Sequence, residues 1–293
     1  MIDLHIHSCV SDGSESPSRV VELASSKGLK AISLTDHDRF DGLKEARSKA
    51  DELGIELISG VELSCIWEPS LKSSKEISCH VLVYFVNETL DSALKSELVN
   101  LQDDRSNRNN KLVAKLNSLG IEITIDDVMR EAHSQGVGRP HFARVLIKKG
   151  YAASIDEAFT TYLGAGASAY VKKARLSVSD AIELATRSKG LAVIAHPLHI
   201  GVSKNELEIE ICRLSKLGLS GIEAFYGKYS NQEREYLFDL AVKNNLIATG
   251  GSDFHGTFKP ELEIGTGCGD LNVEDEIIER LKTLLNDKFF KIS

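Results

Sequence analysis

Metal-competent side chains stand at the very start of the chain, in the segment MIDLHIHSCVSDG. His5 and His7 are two residues apart, so both imidazoles point to the same face if IDLHI forms a β-strand. Asp12 follows within the same segment. Imidazole and carboxylate groups are ligands for divalent transition metals. The segment therefore predicts one part of a metal site, and the rest of the chain must supply the other ligands.

Similar side chains stand at the ends of several other predicted strands. Asp253 and His255 repeat the two-residue spacing after LIATGGS, and His196 ends the strand GLAVIAH. A single histidine is more often a hydrogen-bonded structural residue, but six of the nine histidines occupy such positions beside three carboxylates. In α/β barrels the carboxyl ends of the strands carry the chemistry. The candidate metal ligands are His5, His7, Asp12, His37, Glu62, His80, His196, Asp253 and His255.

The elements that must position these ligands alternate between strand and helix over the first 60 residues. Strands are predicted in IDLHI, LKAISLT and IELISGVEL, and helices in SRVVELASSKG and GLKEARSKADELG, each closed by glycine. This βαβαβ order predicts parallel strands joined by right-handed crossovers. After the apolar strand HVLVYFV, helix follows helix from about residue 90 to residue 170, and the alternation then resumes.

About seven strands of one kind, split by a helical insert, predict an α/β fold. The simplest architecture is a (β/α) barrel interrupted by an all-α insertion, and an open doubly wound sheet is the main competitor. We place the barrel in residues 1–98 and 176–293 and the insertion in residues 99–175.

The composition is that of a globular enzyme, with 42% hydrophobic and 27% charged residues and a net charge of −8. This charge argues against binding of long nucleic acid, although a small anion can still bind at a locally positive site. No apolar run approaches the roughly 18 residues of a membrane span, and a predicted strand at residues 1–5 leaves no room for a signal peptide. Five cysteines without a CxxC pair fit a reducing compartment. We expect a cytoplasmic protein with no obligate protein partner.

Six motifs along the chain together resemble one known family. They are DLHIHSCVSDG, LTDHD, GVELS, CHVLVYF, AHP and GSDFH, and they follow the order of the PHP family, named for polymerase and histidinol phosphatase. The resemblance implies a metal-dependent phosphoesterase on a distorted (β/α)7 barrel. Within the family, GRPHFARVLIKKG and YLGAGASAYV resemble the helical insertion of stand-alone enzymes, some of which act on nucleotides. The resemblance further implies that this insertion caps the substrate.

The resemblance also implies a trinuclear site of divalent ions, for which Mn, Fe and Zn all suit the nitrogen and oxygen ligands. Three such ions bring about +6 and three carboxylates return about −3, so the site attracts a phosphate dianion and lowers the pKa of a bridging water. A metal-bound hydroxide is then the nucleophile. In the implied division, the first ion is bound by His5, His7, Glu62 and Asp253, the second by Glu62, His80 and His196, and the third by Asp12, His37 and His255.

The substrate phosphate needs a cationic partner in addition to the metals. Arg139, in GVGRPHFAR, offers a planar fork matched to phosphate, and in the resembling enzymes this arginine comes from the insertion. The alternative is a solvated surface arginine. His141 is a candidate for assisting catalysis, although a lone histidine on a helix more often packs or caps. Lys172 and Lys173 are weaker candidates for phosphate binding because a charge run is usually a solvated face.

The sequence therefore predicts a metal-dependent phosphoesterase that hydrolyses small phosphorylated substrates. Nucleotides such as nucleoside 3′,5′-bisphosphates, and short 5′-phosphorylated RNA, are the expected substrates by resemblance. Histidinol-phosphate phosphatase is an alternative function, and the helical insertion and the GRPH motif argue against it. A non-catalytic PHP module that only binds metal is the alternative from another class, and the complete set of nine ligand positions speaks against it.

Overall fold

The computed structural model describes residues 1–68, 77–85, 93–132, 137–172 and 175–290. The chain divides into two compact units. One unit comprises Met1–Glu97 and Arg175–Ser293, and the other comprises Leu98–Ala174. These boundaries lie one residue from those expected from the sequence.

Strands and helices alternate through most of the first unit. Several of its helices begin with a serine whose hydroxyl accepts a backbone N–H bond, including Ser16 before the helix Pro17–Ser26 and Ser230 before the helix Asn231–Lys243. In chain order the elements of this unit are β1 (Ile2–Ile6), α1 (Pro17–Ser26), β2 (Ala31–Leu34), α2 (Leu43–Leu53), β3 (Glu56–Trp67), β4 (Ile77–Tyr84), the start of α3 (Ala93–Ser118), β5 (Leu176–Ser177), α7 (Val178–Arg187), β6 (Leu191–Ile194), α8 (Lys204–Lys216), β7 (Gly221–Tyr226), α9 (Asn231–Lys243), β8 (Ile247–Gly251) and α10 (Glu276–Phe289).

The strands of the described residues form one sheet in the order β1-β2-β3-β4-β6-β7-β8, and the short β5 pairs with β3. Parallel pairs join β1 to β2, β2 to β3, β6 to β7 and β7 to β8. The predicted α/β class is confirmed, and the sheet is barrel-like and nearly closed.

The expectation that all strands run in one direction is wrong for β4. This strand is antiparallel to both of its neighbours, β3 and β6. The reason is the length of the connection: residues 68–76 separate β3 from β4, and a parallel crossover requires a dozen residues or more. Strand β3 also continues to Trp67, four residues beyond the end of the predicted strand.

The barrel closes where the end of β1 meets the residues that follow β8. The backbone N–H of Asp253 donates to the carbonyl of His5, and that of His7 donates to the carbonyl of Phe254, both at 2.9 Å. The close approach requires glycine at position 251, where a Cβ atom would lie 2.4 Å from the backbone nitrogen of His5. His5 and His7 are thereby held beside Asp253 and His255.

A second link at the same junction is made by the buried carboxylate of Asp3. Its Oδ1 accepts from the backbone N–H of Ser252 at 2.9 Å, and its Oδ2 accepts from that of Gly265 at 2.8 Å. Burial raises the pKa of Asp3, which these hydrogen bonds oppose. Asp3 therefore joins β1 to the loops after β8 without taking part in the candidate site.

Apolar side chains from opposite parts of the sheet pack together with α10. Ile2 and Leu4 of β1 belong to one buried cluster with Tyr84 of β4 and Val193 of β6. Leu281 of α10 belongs to the same cluster. Burying a side chain of this size stabilises the fold by about 1.5–3 kcal/mol, so this packing fixes the strands that carry the candidate ligands.

The second unit is helical in its described residues and has a core of its own. Phe142 and Leu146 pack in one buried cluster with Leu112 and Leu116. None of the helices in the described part of the chain has an apolar stretch long enough to cross a bilayer. The elements of this unit are the rest of α3, α4 (Ile125–Ala132), α5 (Arg139–Lys148), α6 (Ile155–Ala158) and a π-helical turn (Phe159–Leu163).

Candidate active site

The candidate ligands meet at one end of the first unit. His5 lies in β1, and His7 follows the end of that strand; both are fully buried. His80 lies near the start of β4, where it pairs with Ser64 of β3. Because β4 runs against its neighbours, its first half reaches the edge at which the parallel strands end. The reversed strand therefore still delivers a ligand to the common site.

Glu62 of β3, with 1% of its side chain exposed, lies at the centre of the site. Its Oε2 lies 3.3 Å from Nε2 of His5 and 3.1 Å from Nε2 of His7. Nδ1 of His37, which follows β2, lies 3.1 Å from the same oxygen. One carboxylate oxygen thus faces three imidazoles from two different strands.

The other oxygen of Glu62 faces two more histidines. Its Oε1 lies 2.9 Å from Nδ1 of His80 and 3.1 Å from Nε2 of His196. Glu62 therefore divides its oxygens between two groups of imidazoles, which is the arrangement that a bridging carboxylate needs.

The two aspartates complete the arrangement on the side of His7. Oδ1 of Asp253 lies 3.4 Å from Nε2 of His7 and 3.4 Å from Nδ1 of His255. Oδ1 of Asp12 lies 3.4 Å from Nδ1 of His7 and 3.3 Å from Nε2 of His255, and its Oδ2 lies 3.7 Å from Nε2 of His37. In both His7 and His255, one ring nitrogen faces Asp12 and the other faces Asp253.

All nine residues expected from the sequence lie within this one cluster. Their ligand atoms form four overlapping groups, in each of which the atoms lie within 4.8 Å of one another. The grouping differs in detail from the division implied by resemblance, since His5, His7 and His37 are each shared between two groups. The groups are His7, Asp12, His37 and His255; His5, His7 and Asp253; His5, Glu62 and His196; and His37, Glu62 and His80.

The chemistry of these atoms fits divalent cations. Nε2 of His5 and Nε2 of His7 face each other at 3.2 Å, and Nδ1 of His80 faces Nε2 of His196 at 3.3 Å. Two such nitrogens can share one hydrogen when one of them is protonated, whereas a cation between them would bind the lone pairs of both. Imidazole nitrogen with carboxylate oxygen is a donor set suited to divalent transition metals.

Without a bound ion, protons balance the buried carboxylates. Burial opposes ionisation of Glu62, but the charges of the surrounding histidines hold its pKa well below its usual value. The pKa of His5 is raised to about 10, since the carboxylates of Glu223 and Glu62 outweigh the effect of burial. Burial instead lowers the pKa of His37 to about 3. A metal ion would therefore replace protons on some of its ligands.

Several residues that contact the cluster were not anticipated from the sequence. Oδ2 of Asp253 accepts from the hydroxyl of Tyr226 at 2.9 Å and from the ammonium of Lys259 at 2.7 Å. Glu223 contacts His5 and His196. The signal that was available for Glu223 is a charged residue in the middle of the apolar strand LSGIEAF.

The loop that carries Asp12 is held by a further buried acid, Asp36. Its Oδ1 accepts from the backbone N–H of Ser8 at 2.8 Å and from the hydroxyl of Ser11 at 2.6 Å. Its Oδ2 accepts from the hydroxyl of Ser8 at 2.7 Å. Asp36 therefore positions the loop after β1, in which Asp12 lies.

The candidate substrate-binding residues belong to the second unit. Arg139 is the first residue of α5; its Nη1 donates to the carbonyl of Leu163 at 3.2 Å, and its guanidinium carbon lies 5.9 Å from the ring centre of Tyr170. Nδ1 of His141, which is buried, accepts from the backbone N–H of Gly138 at 3.0 Å and so caps α5. Lys172 is exposed, and Lys173 lies outside the described residues.

Comparison with protein families matches residues 3–162 to the PHP domain. The chain is 31% identical to the 3′,5′-nucleoside bisphosphate phosphatase of Chromobacterium violaceum, over 90% of each protein. It is 33% identical to the 5′-3′ exoribonuclease of Haemophilus influenzae, over 86% of this chain and 89% of that protein.

Among solved structures, a Bifidobacterium adolescentis protein described as a metal-dependent phosphoesterase superimposes with a TM-score of 0.76. The match covers 99% of this chain and 97% of the other, at 27% identity. The sequence, the barrel-like sheet and the cluster of imidazoles and carboxylates thus agree with the family comparison. The chain belongs to the PHP family and is a metal-dependent phosphoesterase.

Proposed function

We propose that this enzyme hydrolyses phosphate monoesters of nucleotides, with nucleoside 3′,5′-bisphosphates as its preferred class of substrate and short 5′-phosphorylated RNA as a further one. The observation that carries the proposal is the position of Glu62, whose two oxygens face five imidazoles. The names of the two relatives, a nucleoside bisphosphate phosphatase and an exoribonuclease, support the choice of nucleotides.

We further propose that three divalent ions, of Mn, Fe or Zn, bind at the cluster. Glu62 would be shared between two of these ions, Asp253 would bind one of those two, and Asp12 would bind the third. Ions held there would supply Lewis-acid polarisation of phosphoryl oxygens and hydroxide at neutral pH. Tyr226 and Lys259 hold Oδ2 of Asp253, so its Oδ1 stays directed at the histidines. Free cysteines in the described residues fit the cytoplasm as the place of action.

The helical unit at residues 98–174 is, in this proposal, the part that selects the substrate. It contributes none of the nine ligands, whereas Arg139 supplies a planar donor suited to phosphate. The stacking of Arg139 near Tyr170 and its bond to Leu163 hold the guanidinium in one place, which lowers the entropy lost on binding a phosphate.

Metal binding should release protons, because the pKa of His5 is raised to about 10 and that of His7 lies well above its usual value. In the metal-free protein, protonation of His5 stabilises the fold fully below pH 6.5, and this contribution is lost as the pH rises through about 10. We expect about two protons released per chain and an apparent affinity for Zn²⁺ that rises between pH 6 and pH 8.

Titration calorimetry in buffers of different ionisation enthalpy measures this release. An affinity that does not change with pH, together with no proton release, would contradict the protonation that we assign to the two histidines.

The proposed substrate class is tested by phosphate release from a small panel. It comprises a nucleoside 3′,5′-bisphosphate, histidinol phosphate, a short 5′-phosphorylated RNA and an aryl phosphate. We expect kcat/KM for the bisphosphate to exceed that for histidinol phosphate by about tenfold or more, because a site built for two phosphates loses a charged contact with the smaller substrate. The His7→Ala variant controls for a contaminating phosphatase. Preference for histidinol phosphate would identify the alternative function.

Replacing Arg139 tests the role of the helical unit. Arg139→Ala should leave the metal content unchanged and lower kcat/KM for the bisphosphate by about 30- to 1000-fold. This range corresponds to the loss of a charged hydrogen-bonded pair that contributes roughly 2–4 kcal/mol. Arg139→Lys should restore only part of the lost kcat/KM, since an ammonium keeps the charge but not the forked geometry.

Arg130→Ala is the matched control, because Arg130 is an exposed arginine of the same unit that pairs with Asp127. Steady-state kinetics that leave Arg139→Ala within about threefold of the wild type would make Arg139 a surface residue without a role in binding.

A further inference from the structure

Glu223 is a fully buried carboxylate in the middle of β7, and the nine-ligand set does not include it. Its two oxygens have different partners. Oε1 lies 2.9 Å from Nδ1 of His5, and Oε2 accepts a 2.7 Å hydrogen bond from the backbone N–H of His196. One side chain thus holds two candidate ligands that come from different strands.

The contact with His5 determines which ring nitrogen can bind a metal. A carboxylate only accepts hydrogen bonds, so Nδ1 of His5 carries the hydrogen and donates it to Glu223. The remaining nitrogen, Nε2, lies 3.3 Å from Oε2 of Glu62 and 3.7 Å from Oδ1 of Asp253. Once His5 is neutral, its lone pair therefore points at the other ligands.

The contact with His196 holds a strained backbone. His196 has a φ of +27°, a region that residues other than glycine rarely adopt. Such strain persists only where the surroundings impose it. The bond from its N–H to Glu223 is one such restraint, and Nε2 of His196 then lies 3.1 Å from Oε1 of Glu62.

We propose that Glu223 is a positioning residue that sets the affinity of the site for metal, by fixing the tautomer of His5 and the backbone of His196. The proposal rests on the metal centre of the proposed function. Because Glu223 is fully buried, it acts through these two residues and does not contact the substrate. Partners of this kind are worth about 10- to 100-fold in metal affinity when they hold a ligating histidine.

The isosteric change Glu223→Gln separates this role from simple space filling. Glutamine has one acceptor oxygen where two are needed, so its amide nitrogen must face either the N–H of His196 or Nδ1 of His5. The first arrangement opposes two donors, and the second moves the hydrogen of His5 to Nε2. Each outcome impairs one ligand while the volume of the side chain stays the same.

The experiment is competition for Zn²⁺ between the metal-free protein and a chelator, with no substrate present. We expect Glu223→Gln to bind the ion that His5 holds about 10- to 100-fold more weakly than the wild type. The matched control is Glu210→Gln, a change at another buried glutamate, which pairs with Arg213 on α8. The control should stay within about threefold. Equal affinities of wild type and Glu223→Gln would overturn the proposal.

A measurement on the wild type decides the question even if Glu223→Gln does not fold. In the Zn²⁺-loaded protein, ¹H–¹⁵N spectra of the histidine rings should show a slowly exchanging hydrogen on Nδ1 of His5. A metal-bound Nδ1 at His5 would refute the proposal directly. Neither readout uses turnover, so an enzyme that binds metal normally but hydrolyses no nucleotide would refute the proposed function and leave this role of Glu223 intact.

Discussion

The rest of the site depends on a single buried carboxylate, that of Glu62, whose negative charge must be balanced. An ionised group with almost no exposure to water costs several kcal/mol unless opposite charges or hydrogen bonds compensate it. Five imidazoles surround its two oxygens at 2.9–3.3 Å. Protons on some of these rings balance the charge when no ion is bound, and divalent ions would balance it better. The burial that makes the charge of Glu62 costly therefore also favours the binding of cations.

The fold meets this requirement by bringing strand ends from distant parts of the sequence to one point. His5 and Asp253 are adjacent only because the barrel closes at the junction of β1 with the residues after β8, where Gly251 permits the contact. The carboxylate of Asp3 ties the same junction together from a position outside the cluster. The contacts that close the barrel therefore also bring the ligands of the site together.

The sequence predicts that candidate ligands lie together because the two-residue spacing of His5 and His7 places both side chains on one face of a strand. The direction of β4 was not predicted, because the periodicity of an apolar strand carries no information on its orientation. The short connection at residues 68–76 does carry this information. The role of Glu223 was not predicted because an acidic residue within the apolar strand LSGIEAF does not reveal which residues it contacts. For His141, capping is one of the two structural roles expected of a lone histidine on a helix, and one hydrogen bond from Gly138 identifies it.

The central claim, that nine side chains hold three ions with Glu62 shared between two of them, is tested most directly by anomalous diffraction. Crystals of the Zn²⁺- or Mn²⁺-loaded protein should show three anomalous peaks in the cluster, neighbouring peaks about 3.5–4 Å apart, with Glu62 bound to two of them and Glu223 bound to none. A single peak, or a peak with Glu223 as its ligand, would contradict the account.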